Sequence, residues 1–209
     1  ALEASINALE MAELKASKID LIILATTTPD KIFPATATTL QDRIGASCPA
    51  FDIQAVCAGF VFALTTAQQY IENGVAKNIL VVGSETMSKI VDWNDRSTAI
   101  LFGDGAGAVV VSKDNTTGIK HAKLCSDGKY LSSLHVNNNG INDTGTIEMM
   151  GNEVYRIAVN RLSDLAEETL KDCNMASDDL SWMVPHQANI RIISAVAKRI
   201  NLPMSKVIL

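Results

Sequence analysis

Cys57 and His186 are the residues of this sequence best placed to do chemistry. Cys57 follows the strand-like segment Phe51 to Val56 and precedes Ala58 to Glu72, a proline-free stretch with helical character that Gly74 is placed to stop. A thiol attacks as its thiolate, and the partial positive charge of a helix N-terminus lowers its pKa from about 8.5 toward neutrality. The first-turn N–H groups of a helix have no intrahelical partner, so the Cys57 N–H is free to face a developing oxyanion. A cysteine in an apolar stretch serves equally well as a small core residue; the strand-to-helix junction favours chemistry. His186 stands just after the apolar Leu180 to Val184 and Pro185, in a polar cluster, His186-Gln-Ala-Asn189, that opens a helix. In open α/β sheets ligands bind beyond the strand ends. His121 and His135 fall in a polar, turn-rich stretch and receive no role.

The elements that must hold these residues alternate in type. Leu2, Ile6, Leu9, Ala12 and Ala16 recur at helical intervals over residues 2 to 16, and Asp20 to Ala25 reads as a fully buried strand. A loop over Thr26 to Asp30 leads to a helix from Ala35 to Ile44. Ala58 to Leu64 is apolar on nearly every face, which predicts a buried central helix. Lys77 to Val82 and Ala106 to Val111 are further strands, the second preceded by a glycine-rich turn at Gly103-Asp-Gly105. Asp114 to about Gly151 is polar, with turn signals at Asp127-Gly128 and Asn137-Asn-Asn-Gly140, and separates residues 1–113 from 114–209. A helix over Asn152 to Asp172, a short strand over Leu180 to Val184 and a second amphipathic helix over Ala188 to Ile200 complete the chain. Helix, buried strand and loop thus occur in order at 2–28 and at 152–186, which suggests an internal duplication. Alternating strands and helices favour a layered α/β fold with much parallel sheet.

Composition narrows the classes. At 209 residues, 47% hydrophobic and 20% charged, the chain can bury a substantial core, and its apolar runs are strand-sized, short of the ~20 residues of a membrane-spanning helix. A net charge of −5 without a basic block argues against nucleic acid as partner. Cys48, Cys57, Cys125 and Cys173 form no C-x-x-C pair and no zinc spacing, so no metal is expected and a reducing cytoplasm is the natural location. The run Gly103-Asp-Gly-Ala-Gly107 precedes a strand, whereas a dinucleotide-binding fingerprint follows one; close backbone packing is its expected role.

Ala55-Val-Cys57-Ala-Gly-Phe60, Phe102-Gly-Asp-Gly-Ala-Gly107 and Val184-Pro-His186-Gln-Ala-Asn189 together resemble the β-ketoacyl-acyl carrier protein synthase III family of condensing enzymes. Phe33-Pro34, Cys48 to Phe51, Asp95-Arg96 and Gly151 to Val154 support the resemblance, which covers essentially the whole chain. It implies a thiolase-like α-β-α-β-α fold of two duplicated halves, here incomplete. It further implies that Cys57 takes an acetyl group from acetyl-CoA and that His186, with an Asn, hydrogen-bonds the thioester carbonyl of malonyl-acyl carrier protein during decarboxylation. No cofactor is implied beyond these substrates. The positions matching Arg96 contact the CoA nucleotide, those matching Gly151, Asn152 and Asn189 line the pantetheine tunnel, and that matching Phe33 closes the partner's acyl pocket across a homodimer interface. Arg191 and Lys198 are seven apart on one helix face, Arg199 is adjacent, and Arg156 can join them from the preceding helix. Alone they read as a solvated face; by resemblance they form the docking patch for the acidic carrier protein.

The sequence departs from that family at its ends. It begins without Met and is expected to start inside a longer chain; it stops at Leu209, before the loop that carries the family's catalytic Asn. A late glycine-rich loop with a second oxyanion N–H, and an N-terminal aromatic that stacks on the CoA adenine, are also outside it. The 209 residues by themselves are therefore expected to condense poorly. Competing readings are a quinolone- or polyketide-type starter enzyme with another acyl group, a cysteine hydrolase, a degradative thiolase, which needs a second cysteine motif, and a noncatalytic carrier-binding partner, in which loss of Cys57 would be usual.

Overall fold

A computed structural model describes residues 1–116, 118–138 and 144–209. Asn139 and Gly140, the end of the asparagine-rich turn, lie outside the described residues. Two compact units result: Ala1–Lys89 with Gly103–Ile119, and Ile90–Phe102 with Lys120–Leu209.

The first unit is built on a four-stranded sheet. Its strands are β1 (Leu21–Ala25), β2 (Ala50–Ile53), β3 (Asn78–Thr86) and β4 (Asp104–Ser112), in the order β2-β1-β3-β4. The first three are mutually parallel and β4 runs antiparallel to β3. Every residue of β1 is buried, as its unbroken apolar run requires of a strand covered on both faces. The two-residue period of a strand divides that run between two cores. Ile22, Leu24, Leu80 and Val82 pack with Ala8, Leu9, Ala37 and Leu40 of helices α1 (Leu2–Met11) and α2 (Thr36–Ile44). Leu21, Ile23, Ala25, Ile79 and Val81 pack with Ala63 and Ala67 of helix α3 (Gly59–Glu72). α1 is shorter than its apolar spacing suggests: the chain leaves it at Ala12, and Glu13 takes a positive φ of 53°. α3 lies on one face of one sheet, so of its residues Gly59, Ala63 and Ala67 are buried while Val61 stays 49% exposed. The expectation of burial on nearly every face is corrected accordingly for this unit.

The glycine run is also corrected. Gly105 and Gly107 belong to β4 itself, paired with Glu85 and Gly83 of β3, and a Cβ at Gly103, Gly105 or Gly107 would meet nothing within 4 Å. Close backbone approach occurs at Gly59, where a Cβ would stand 3.1 Å from the Ala25 Cβ, and at Gly83, which Phe60 covers at 3.4 Å.

The second unit carries the four-residue helix α4 (Arg96–Ala99), the hairpin β5 (Leu134–Asn138) and β6 (Thr144–Met149), and helices α5 (Gly151–Asp172) and α6 (Ile190–Arg199). The hairpin was not visible in the polar composition of that stretch. Ile193 and Ala197 of α6 join Ile200, Leu202 and Val207 in a small core against Ala166, Leu180 and Met183. Ile190 is 52% exposed, whereas Ile192 and Val196 are buried. The expected strand at Leu180 to Val184 shrinks to one parallel bridge, Met183 to Val207, because Lys206 to Ile208 is its only partner among the described residues. No helix among the described residues is long and apolar enough to cross a membrane.

Candidate active site

Cys57 sits in a single 3₁₀ turn, Val56–Ala58, that joins the end of β2 to α3. The turn is fixed from both sides of the sequence. Val56 adopts φ 46°, a left-handed conformation that strains a β-branched side chain. Gly59 then rests on Ala25 and Phe60 on Gly83, which seats the start of α3 directly on β1 and β3. Among the described residues no backbone carbonyl accepts from the Cys57 N–H. Its place ahead of a helix leaves that donor outside the helical hydrogen-bond ladder.

The electrostatics differ from the expectation. Cys57 is open to solvent, yet the protein crowded around its sulfur raises the thiol pKa; its own N–H opposes this, and the Glu85 carboxylate adds to it. Desolvation therefore outweighs the hydrogen bond from the residue's own N–H, and the resting group is the thiol. His186 precedes α6, and its carbonyl accepts from the Ala188 N–H at 2.9 Å. Loss of water around its imidazole lowers its pKa, so the ring is neutral at neutral pH and keeps one N–H to donate.

The other residues fall as follows. Phe33 shares the first unit with Cys57 and is 81% exposed in the loop before α2. Arg96, Gly151, Asn152, Asn189, Arg156, Arg191, Lys198 and Arg199 share the second unit with His186. Arg96 is the exposed first residue of α4, held by the Asp95 carboxylate, which accepts from the Ser97 N–H (2.9 Å), Ser97 Oγ (2.7 Å) and Thr98 Oγ1 (2.9 Å). Those bonds, Ser97 first, lower the Asp95 pKa. Gly151 and Asn152 open α5, and Asn189 caps α6 by accepting from the Arg191 N–H at 2.8 Å.

The four basic residues are not equivalent. Arg199 is paired with Asp164 and, at 3.4 Å, with Glu167 of α5. It lines a cleft of about 410 Å³ with Arg156, Tyr130 and Arg161, and Arg161 is itself held by Asp127 at 3.0 Å. Arg156, Arg191 and Lys198 are exposed and form no ion pair among the described residues. His121 and His135, left without a role, stand 3.6 Å from Asp172 and 3.7 Å from Glu148.

Comparison with known proteins decides the family. Residues 51–128 match the family model 3-oxoacyl-[acyl-carrier-protein] synthase III, and residues 170–209 match that of its C-terminal part. A β-ketoacyl-[acyl-carrier-protein] synthase III of Neisseria meningitidis serogroup A is 51% identical over 215 residues, covering 100% of this chain and 67% of the relative. The chain belongs to the β-ketoacyl-[acyl-carrier-protein] synthase III family. The synthase III of Vesicomyosocius okutanii is 70% identical over 206 residues, 99% of this chain and 66% of that protein. The crystal structure of the Aquifex aeolicus synthase III superposes with TM-score 0.95 at 43% identity, covering 99% of this chain and 66% of that one. The priming β-ketosynthase of the R1128 polyketide pathway superposes with TM-score 0.93 at 36% identity, covering 100% and 65%. The chain described here thus spans about two thirds of the length of these relatives. It has the thiolase-like α/β fold expected from its sequence.

Two features of the candidate site escaped the sequence. Glu85, at the end of β3, gathers donors from the Thr26–Thr28 loop; an acidic residue near the end of an apolar strand was the available signal. The strained φ of Val56 had none, since a β-branched residue argues against that conformation.

Proposed function

We propose that the protein is an initiating condensing enzyme of fatty-acid synthesis, joining acetyl-CoA and malonyl-acyl carrier protein into acetoacetyl-acyl carrier protein, CoA and CO2. The observation that carries the reading is Cys57 itself: a solvent-open thiol whose N–H donates to no backbone carbonyl among the described residues, on a strained turn ahead of α3, in a member of the synthase III family. The sulfur attacks the acetyl carbonyl carbon, the C–S bond to CoA breaks, and the proton lost by Cys57 ends on the CoA sulfur. His186 donates its N–H to the thioester oxygen of the malonyl group. The C–C bond to the carboxylate breaks, CO2 leaves, and the electron pair forms an enolate that attacks acetyl-Cys57 and frees its sulfur. Donors already aimed at such an oxygen each contribute a few kcal/mol to the barrier.

The two units are read as the halves of the duplicated fold, Arg96 as a CoA contact, and Gly151, Asn152 and Asn189 as the pantetheine lining. Phe33, exposed in one protomer, is read as closing the acyl pocket of a second in a cytoplasmic homodimer. The likeness to a priming ketosynthase of a polyketide pathway favours one second reading, the same chemistry on a different starter group. Product analysis decides between them: acetoacetyl-carrier from acetyl-CoA supports the first, and turnover only with longer or branched acyl-CoA supports the second.

The carrier patch yields a graded expectation. Arg191→Glu reverses an unpaired cation and should lower kcat/KM for malonyl-carrier by about tenfold while leaving acetyl transfer from CoA unchanged. Arg199→Ala removes a cation already engaged by Asp164 and Glu167, and its effect should stay within about twofold. Carrier titrations with the two variants check the order; equal losses would refute the division.

A further inference from the structure

Glu85 occupies the next-to-last position of β3, half-buried. Four donors reach its carboxylate, all from the loop that follows β1. Thr27 N–H lies 2.8 Å from Oε1; Thr28 N–H, Thr28 Oγ1 and Thr26 Oγ1 lie 3.1, 2.5 and 3.4 Å from Oε2. Thr28 Oγ1 also accepts from the Thr86 N–H at 2.7 Å, so side chain and backbone of β3 grip the same three residues. Immediately before that loop is Ala25, on which Gly59 rests, and two residues before Glu85 is Gly83, which Phe60 covers. The loop and the Cys57 turn therefore share one support, the C-terminal ends of β1 and β3.

The other charged groups at this end of the sheet are committed elsewhere. Asp52 of β2 accepts from the Thr36 and Ala37 N–H groups, both at 2.7 Å; Asp104 holds Ser88 N–H and Oγ, both at 2.8 Å; Lys89 pairs with Asp30 at 3.5 Å. The Glu85 carboxylate adds, after desolvation, to the rise in the Cys57 thiol pKa.

We propose that Glu85 is a positioning residue for the reaction at Cys57: it clamps the Thr26–Thr28 loop beside the nucleophile turn and sets its negative charge against the thiolate. The clamp fixes the ground on which the turn stands. The charge favours the thiol in the resting site, so the proton leaves as the CoA sulfur departs and accepts it, and the free enzyme is shielded from stray electrophiles. The acetyl-transfer part of this rests on the reading of Cys57 as the acyl-carrying nucleophile; the charge part does not.

The test is the rate of Cys57 alkylation by iodoacetamide from about pH 6 to 10, followed on the Cys57 peptide by mass spectrometry, beside acetyl transfer from acetyl-CoA. Glu85→Gln keeps the length and removes the charge; it should move the alkylation profile to lower pH and raise the rate at pH 7 about three- to tenfold. Glu85→Asp keeps the charge with a shorter reach and should hold the wild-type alkylation profile while slowing acetyl transfer. Thr28→Val, a milder change, should likewise slow acetyl transfer and leave the profile in place. A Glu85→Gln profile superposed on wild type would overturn the role of the charge, and wild-type acetyl transfer in Thr28→Val would overturn the clamp. Should Glu85→Gln not fold, the wild-type profile at low and high salt reads the same charge, and an unmoved midpoint counts against it. Failure of acetyl transfer in wild type, with the alkylation shifts intact, would instead remove the assignment of Cys57 as acyl carrier.

Discussion

His186→Ala should leave Cys57 able to accept an acetyl group and should slow condensation with malonyl-carrier by about 10²–10³-fold. The two half-reactions make different demands. Acetyl transfer needs a sulfur and a donor for the oxyanion, and the Cys57 N–H, unused by backbone carbonyls among the described residues, is suited to that. Decarboxylation places charge on a second oxygen, for which His186 is the proposed donor. Its imidazole is held neutral by the loss of surrounding water, so it donates a hydrogen bond without bringing a charge that must later be neutralised. Single-turnover measurements, acetylation in one experiment and CO2 release in the other, separate the effects. Equal loss of both would place His186 in a structural role.

Gly59→Val should cost about 1–3 kcal/mol of stability and slow acetylation of Cys57 by more than tenfold. A Cβ at residue 59 would already stand 3.1 Å from the Ala25 Cβ, and the branch of valine adds two more carbons to a fully packed contact. Ala25 lies in the buried strand β1 and has no room to withdraw. The start of α3 must therefore rise from the sheet and carry Cys57 with it. Reacting groups tolerate little displacement, so the rate should fall further than the folding free energy suggests. Thermal unfolding and acetylation rate of the same variant provide the check; a wild-type rate in a destabilised protein would show that the contact supports the fold and not the nucleophile.

Much of the architecture was legible because each signal was local. Leu21 to Ala25 and Ile79 to Val82 are unbroken apolar runs of strand length, and such runs are stable only where both faces of a sheet are covered. Val154, Ile157, Leu162 and Leu165 keep a helical period that no glycine or proline interrupts, and α5 runs its full expected length from Gly151. The strand-to-helix junction that holds Cys57 was legible from the patterns on either side of it. What the sequence hid depends on neighbours distant along the chain. Leu180 to Val184 has the composition of a strand, but a strand needs a paired backbone, and among the described residues Met183 finds its bridge partner only at Val207. The glycines at 103 to 107 suggested tight packing, while the tight contacts fall at Gly59 and Gly83, where the partners are Ala25 and Phe60. The direction of the Cys57 pKa shift was misjudged for the same reason. A helix N-terminus can be read from sequence, but the protein that displaces water from the sulfur, and the Glu85 carboxylate 28 positions further on, come together only in the fold.

The central claim is that Cys57 carries the acyl group. Incubation of the protein with acetyl-CoA, followed by digestion and mass spectrometry at low pH, tests it most directly, with Cys57→Ser as control. An acetyl group on the Cys57 peptide, released by hydroxylamine and absent from the serine variant, is the expected result. A folded protein whose Cys57 peptide stays unmodified while turnover continues, or an acetyl group on Cys125 or Cys173 instead, would contradict the account.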